Sequence, residues 1–193
     1  KIIFCSVVPN VFKNIKMSIK KKLRLEVKEL KQYNLKKILK IDVNMKQVGS
    51  DRLANAISVI NNKDNFIILD FGTATTFDVV LRNRYKGGII APGVNLSLKT
   101  LIEKAKLIPN TKLKKIKNII GKNTQNAVRS GFYWGYQGLI ENIINLIKKK
   151  YKKEFKIIFT GGLSHLYKNT IQKKVQVDKD LTIKGLFKLI DKI

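Results

Sequence analysis

Cysteine is nearly absent from this chain, with Cys5 alone among 193 residues. One thiol excludes an internal disulfide, fits a reducing compartment and gives a cytoplasmic expectation. Histidine is as scarce, with His165 alone, and one His with one Cys argues against a zinc site. No stretch approaches the roughly 18 consecutive apolar residues of a membrane span. The opening, Lys1 to Pro9, has too short an apolar run for a secretory signal. Arginine is scarce as well: only five of the 40 basic residues, at 24, 52, 82, 84 and 129. Readers of phosphates and base edges favour its bidentate fork.

That scarcity decides how the formal charge of +27 is read. Such a charge commonly marks a nucleic-acid or anionic-membrane partner. Here the lysines are spread along the whole chain beside abundant Asn and Ile, as coding bias in an AT-rich genome would place them. Runs such as Lys20-Lys21-Lys22 and Lys148-Lys149-Lys150 read as solvated faces. No nucleic acid and no membrane is expected as partner, although the positive field would draw in small anionic substrates. At 44% hydrophobic the chain can bury a core, and its length fits one domain or two small ones.

The pattern along the chain is α/β. Lys1 to Val8 reads as a buried strand ended by Pro9, followed by a weak amphipathic helix over 11–20 and an extended piece over 23–27. Residues 28–48 carry no clear period. Leu53, Ala54, Ile57 and Ile60 recur at helical spacing, with Ser50 as the expected N-cap. Strands are expected at 66–70, 76–82 and 85–90, the last stopped by Ala91-Pro92-Gly93. Helices follow near 96–106 and 125–150. The long one is given an apolar face of Val128, Phe132, Leu139, Ile143 and Ile147. Its Gly131, Gly135 and Gly138 would let another backbone approach, or are accidents of composition. A strand at 155–159 turns through Thr160-Gly161-Gly162 into a helix near Ser164, and residues 181–193 form a last amphipathic helix.

Five places could carry chemistry. The run Asp70-Phe71-Gly72-Thr73-Ala74-Thr75-Thr76 puts a carboxylate at a strand end, then glycine and three hydroxyls. Glycine permits close backbone approach, and turn N–H groups can form an anion nest. The alternative is a Thr-rich hairpin whose hydroxyls satisfy their own turn. Asp51, at a helix N-terminus beside Arg52 and after Gly49, is favoured as an anion and could deprotonate an alcohol. It could equally be a plain capping residue. Gly161 and Gly162 could let a flat ligand rest on the backbone. Gly87-Gly88 and Pro92-Gly93 could shape a loop over a pocket. Asn123-Thr124 caps the long helix, where a hydroxyl and free N–H groups could hold a polar substrate.

In this order the stretches Ser6-Val7-Val8-Pro9, Gly49-Ser50-Asp51-Arg52, Asp70 to Thr76, Gly87 to Gly93, Asn123-Thr124 with Ser130-Gly131, and Thr160-Gly161-Gly162 resemble the type III pantothenate kinases. That family lies in the acetate kinase, sugar kinase, Hsp70 and actin superfamily. The resemblance implies duplicated actin/ribonuclease H-like α/β domains, here 1–62 and 63–193, the first incomplete at its N-terminus. It implies transfer of the γ-phosphoryl of ATP to the primary hydroxyl of pantothenate, the first step towards coenzyme A. It makes Asp51 the general base, with Gly49, Ser50, Arg52 and Thr124 on the substrate. It puts Gly72, Thr73, Gly161 and Gly162 on ATP, and Asp70 on a monovalent cation (potassium or ammonium), with magnesium accompanying ATP. It also implies a homodimer.

The chain departs from the family pattern at its start. Nothing before Lys1 supplies the expected Asp-x-Gly-Asn-Thr phosphate loop, so a fragment of an intact kinase is expected, one that would bind ATP poorly. Asp42 to Lys46 lacks the Tyr and Pro expected there. The second reading is a non-catalytic regulator resembling the Bvg accessory factor. The third, a lysine-driven nucleic-acid module, would show steep salt dependence.

Overall fold

The computed structural model describes residues 2–172 and 174–192. Its elements run β1 (Ile2–Phe4), α1 (Pro9–Leu23), β2 (Val27–Glu29), β3 (Lys40–Ile41), α2 (Ser50–Val59), β4 (Asn65–Phe71), β5 (Ala74–Leu81), β6 (Arg84–Pro92), α3 (Val94–Lys104), α4 (Thr124–Tyr151), β7 (Lys156–Gly161), α5 (Ser164–Tyr167), β8 (Val175–Val177) and α6 (Leu181–Ile190). The fold is α/β. β1 and β2 pair in parallel, Ile2 with Val27. The larger sheet has the order β3-β6-β5-β4-β7-β8. It is mixed: β3 runs parallel to β6 and β7 to β8. Two-residue loops join β4 to β5 and β5 to β6, a connection open only to antiparallel neighbours. Among the described residues no helix is long and apolar enough to cross a membrane.

By contact the chain forms two compact units. One comprises Lys1–Phe66, Asp78–Gly87 and Asp180–Ile193; the other comprises Ile67–Phe77 and Gly88–Lys179. In the first, Leu53, Ala54 and Ile57 of α2 are fully buried with Leu30, Leu35, Leu39 and Tyr85. α6 packs on α2 so closely that a Cβ on Gly185 would lie 1.9 Å from the Ala54 carbonyl oxygen. Thr182 Oγ1 donates to the buried Asn55 Oδ1 at 2.7 Å. This packing of the last helix is why the tail belongs with the opening residues.

In the second unit Ile67, Ile68 and Leu69 are wholly buried, as a run apolar on both faces requires. Phe71 meets Phe159 edge-on at 5.1 Å and stacks on Tyr167 at 5.5 Å.

Several expectations shift. The opening strand is three residues long and half-buried, and the Lys1 end of that prediction lies outside the described residues. Pro9 begins α1, since proline suits the first helical turn. The extended piece begins at Val27 instead of Leu23. Residues 30–47 form short 3-10 turns around β3, which explains their lack of a period. Gly49, not Ser50, is the N-cap of α2; Ser50 is the first helical residue and is buried. β6 runs straight through Gly87-Gly88 to Pro92, so those glycines lie in a strand and not a loop. α4 buries Tyr133, Ile140, Ile144 and Ile147; of the expected face only Ile147 is fully covered, because two adjoining stripes of α4 are apolar and packing selects one. β8 was not anticipated. α6 stops at Ile190, and Ile193 lies outside the described residues.

Candidate active site

The candidate residues fall into two clusters, each within one unit. In the first unit, Gly49 precedes α2 with extended backbone. A Cβ there would lie 2.4 Å from Asp51 Oδ1 and 3.6 Å from Val7 Cγ1. Glycine is therefore what lets the Asp51 carboxylate fold back over the cap beside the β1–α1 loop. Asp51 Oδ1 accepts the Arg52 backbone N–H at 2.8 Å, in the first turn where the helix field favours an anion.

The Arg52 side chain turns inward. Its Nε–H donates to Asp78 Oδ1 at 2.9 Å, and Nη2 makes an ion-pair contact with the same oxygen at 2.6 Å. Tyr85 Oη donates to that oxygen as well, at 2.5 Å. Asp78 is the one charged side chain fully buried among the described residues. Burial raises its carboxyl above the ordinary range, and Arg52 and Tyr85 oppose the rise. Burial and the Asp78 carboxylate together push the Tyr85 phenol well up. Cys5 belongs to this neighbourhood: burial first, then the charges of Asp51 and Glu29, push its thiol up to about 12.

The second cluster is made of backbone. Asp70 is half-buried near the end of β4. Gly72 and Thr73 form the two-residue turn into β5, with the Gly72 N–H donating to the Ala74 carbonyl at 3.1 Å. Two corners close on this turn. A Cβ on Gly93 would lie 2.1 Å from the Thr73 carbonyl oxygen. Gly161 ends β7 at φ +83°, and a Cβ there would lie 2.6 Å from Asp70 Oδ1 and 2.7 Å from the Phe71 nitrogen. Gly162 has open space instead. The Thr75 and Thr76 hydroxyls are buried without hydrogen-bond partners, so these two do not satisfy their own turn. Thr124 is exposed at the start of α4, while Asn123 supplies the cap, its side chain accepting the Asn126 N–H at 2.9 Å. Among the described residues no three His, Cys, Asp or Glu side chains are grouped to hold a metal ion.

The family model described as Type III pantothenate kinase matches residues 1–146. The chain is 63% identical to the type III pantothenate kinase of Pelagibacter ubique, over 97% of this chain and 76% of that protein. The chain belongs to the type III pantothenate kinase family. A second member, from Sulfurihydrogenibium, is 40% identical over 97% of this chain and 75% of its own length. Among solved structures, one described as a conserved Baf family transcriptional activator from Campylobacter jejuni superposes with TM-score 0.69 at 23% identity. It covers all of this chain and 82% of that one, and at that identity the likeness is of fold alone.

Of the residues anticipated for a type III pantothenate kinase, the structure brings together Gly49, Ser50, Asp51 and Arg52 in one cluster. It brings together Asp70, Gly72, Thr73 and Gly161 in the other. Gly162 and Thr124 make no comparable approach. Asp78 and Tyr85 were missed. The signal was present: one carboxylate inside the apolar run Phe77-Asp78-Val79-Val80 demands a buried partner.

Proposed function

We propose that this chain carries the type III pantothenate kinase reaction, phosphorylation of the primary hydroxyl of pantothenate by ATP. The observation that carries it is the Asp51 carboxylate, fixed by the Arg52 N–H over a glycine that leaves its position open. Asp51 takes the alcohol proton as the alcohol oxygen bonds to the γ-phosphorus. The bond from that phosphorus to its bridging oxygen breaks, and ADP leaves. Gly49, Ser50, Arg52 and Thr124 hold pantothenate. Gly72, Thr73, Gly161 and Gly162 face ATP, with magnesium accompanying it. Phosphoryl transfer rests mainly on positioning and charge neutralisation, which suits a site with one base and much backbone.

Asp70 fits a weakly held monovalent cation. Its carboxylate, a hard oxygen donor, lies where a Cβ on Gly161 would intrude. Bound there, potassium or ammonium would supply positive charge beside the phosphates. The duplicated actin/ribonuclease H-like architecture follows the same family reading, as does a cytoplasmic homodimer. Gly131 and Gly135 of α4 support the dimer, having nothing within 4 Å of an added Cβ beside the exposed Ile119 and Ile120.

The test is ADP release by the full product of the gene with ATP, pantothenate, magnesium and potassium. Pantothenate-dependent release that Asp51→Asn abolishes is expected. Undiminished release in that variant would remove Asp51 as base, and none in the unsubstituted protein would remove the reaction.

A further inference from the structure

Asp78 lies within β5 between Phe77 and Val79, with none of its side chain exposed. Two donors from separate elements, Arg52 of α2 and Tyr85 of β6, converge on its Oδ1. Its Oδ2 is buried without a hydrogen-bond partner. For stability alone this is a poor arrangement. Removing both charges of an ion pair from water costs more than an apolar pair of similar volume would, and one carboxylate oxygen remains unsatisfied.

What the arrangement does give is orientation. Arg52 is gripped at both ends of its structure. Its backbone N–H holds the Asp51 carboxylate, and its guanidinium is held by the Nε–H hydrogen bond to Asp78 Oδ1 and by the ion-pair contact of Nη2, which makes no hydrogen bond, with the same oxygen. A guanidinium fixed along one edge keeps its remaining N–H groups pointing in one direction. The Arg52 side chain is 12% exposed.

We infer that Asp78 and Tyr85 are positioning residues of the kinase reaction. They fix Arg52, and through Arg52 the first turn of α2 on which Asp51 rides. This rests on the reading of Asp51 as the base acting on pantothenate. Asp78 and Tyr85 themselves touch neither substrate. Their removal loosens the acceptor side of the reaction and leaves the nucleotide side unchanged.

The test is steady-state kinetics on the full gene product, with pantothenate and ATP varied separately, for Asp78→Asn, Arg52→Lys, their double variant and Tyr85→Phe. Asp78→Asn and Arg52→Lys should each lower kcat/KM for pantothenate by about 30- to 100-fold, with KM for ATP within about twofold. The double variant should fall no further than about twofold below the worse single, because both act through one contact. Tyr85→Phe, which keeps the ring, should cost about 3- to 10-fold on the same parameter. Losses that multiply in the double variant overturn the inference, as does a parallel rise in KM for ATP. Should Asp78→Asn not fold, the cycle of Tyr85→Phe with Arg52→Lys decides by the same criterion. An unsubstituted protein inactive on pantothenate overturns the parent reading and this one with it. Activity with additive losses overturns this one alone.

Discussion

The two clusters solve the placing of a carboxylate in different ways. Asp51 is held by the backbone N–H of an arginine whose side chain is tethered to a buried acid. Asp70 lies where backbone closes in, with the Gly93 and Gly161 corners pressed on its turn where no Cβ intervenes. The first cluster should therefore be sensitive to the loss of charge at Arg52 or Asp78. The second should be sensitive to a single added methyl at Gly161. Substitutions can separate the two.

The largest effect is expected at Asp51. Asparagine retains an oxygen for the Arg52 N–H but cannot accept the alcohol proton. Asp51→Asn should lower kcat by about 10²- to 10⁴-fold, the usual range for a general base, with an unchanged melting temperature. A melting temperature that falls together with the rate would make Asp51 a cap and not a base.

Cys5 reports on the same cluster chemically. With its thiol pushed up to about 12, against about 8.5 for a free cysteine, it should carry roughly 10³-fold less thiolate at neutral pH. The sign is definite: a raised pKa keeps the thiol protonated, so alkylation by iodoacetamide should keep accelerating with pH beyond pH 9. Because the Asp51 charge contributes to the rise, Asp51→Asn should speed the reaction. A rate already level at pH 9 would contradict this account of Cys5.

Much of this contrast was legible in the sequence. The Asp70 turn was readable because its parts are contiguous and glycine there has few other uses. The Gly49 to Arg52 loop was readable for the same reason. Asp78 in its apolar run signalled a buried partner, but which partner was not legible, because Arg52 lies 26 residues before Asp78 and no local period encodes such a pairing. The α4 face was misassigned for a related cause: with apolar residues on two adjoining stripes, only the tertiary partner chooses between them. Residues 30–47 had too little regular structure to leave any period.

In the second cluster, Gly161 and Gly162 make an internal pair of tests. Gly161→Ala forces a side chain into positive φ and against the Phe71 backbone, at a cost of roughly 1–3 kcal/mol. Gly162→Ala enters open space and should change stability by no more than about 0.5 kcal/mol. Denaturant midpoints with equal slopes would measure both. Equal losses at the two positions would mean that the corner does not depend on the close approach at Gly161.

The smallest effect sharpens the argument most, because one substitution should take opposite signs in two helices. Gly185→Ala in α6 would place its methyl 1.9 Å from the Ala54 carbonyl oxygen, so α6 must shift away from α2 and stability must fall. Gly131→Ala in α4 meets nothing within 4 Å and removes the entropic penalty of a helical glycine, a gain of about 0.5–1 kcal/mol. That gain should appear in thermal melts at low protein concentration. If the exposed face of α4 meets a second copy, the same methyl occupies space that the partner needs. Gly131→Ala would then raise the dissociation constant measured by sedimentation while still stabilising the separated chain. A gain in stability with unchanged association would place the dimer contact elsewhere. A loss of stability in the dissociated chain would contradict the open space around Gly131.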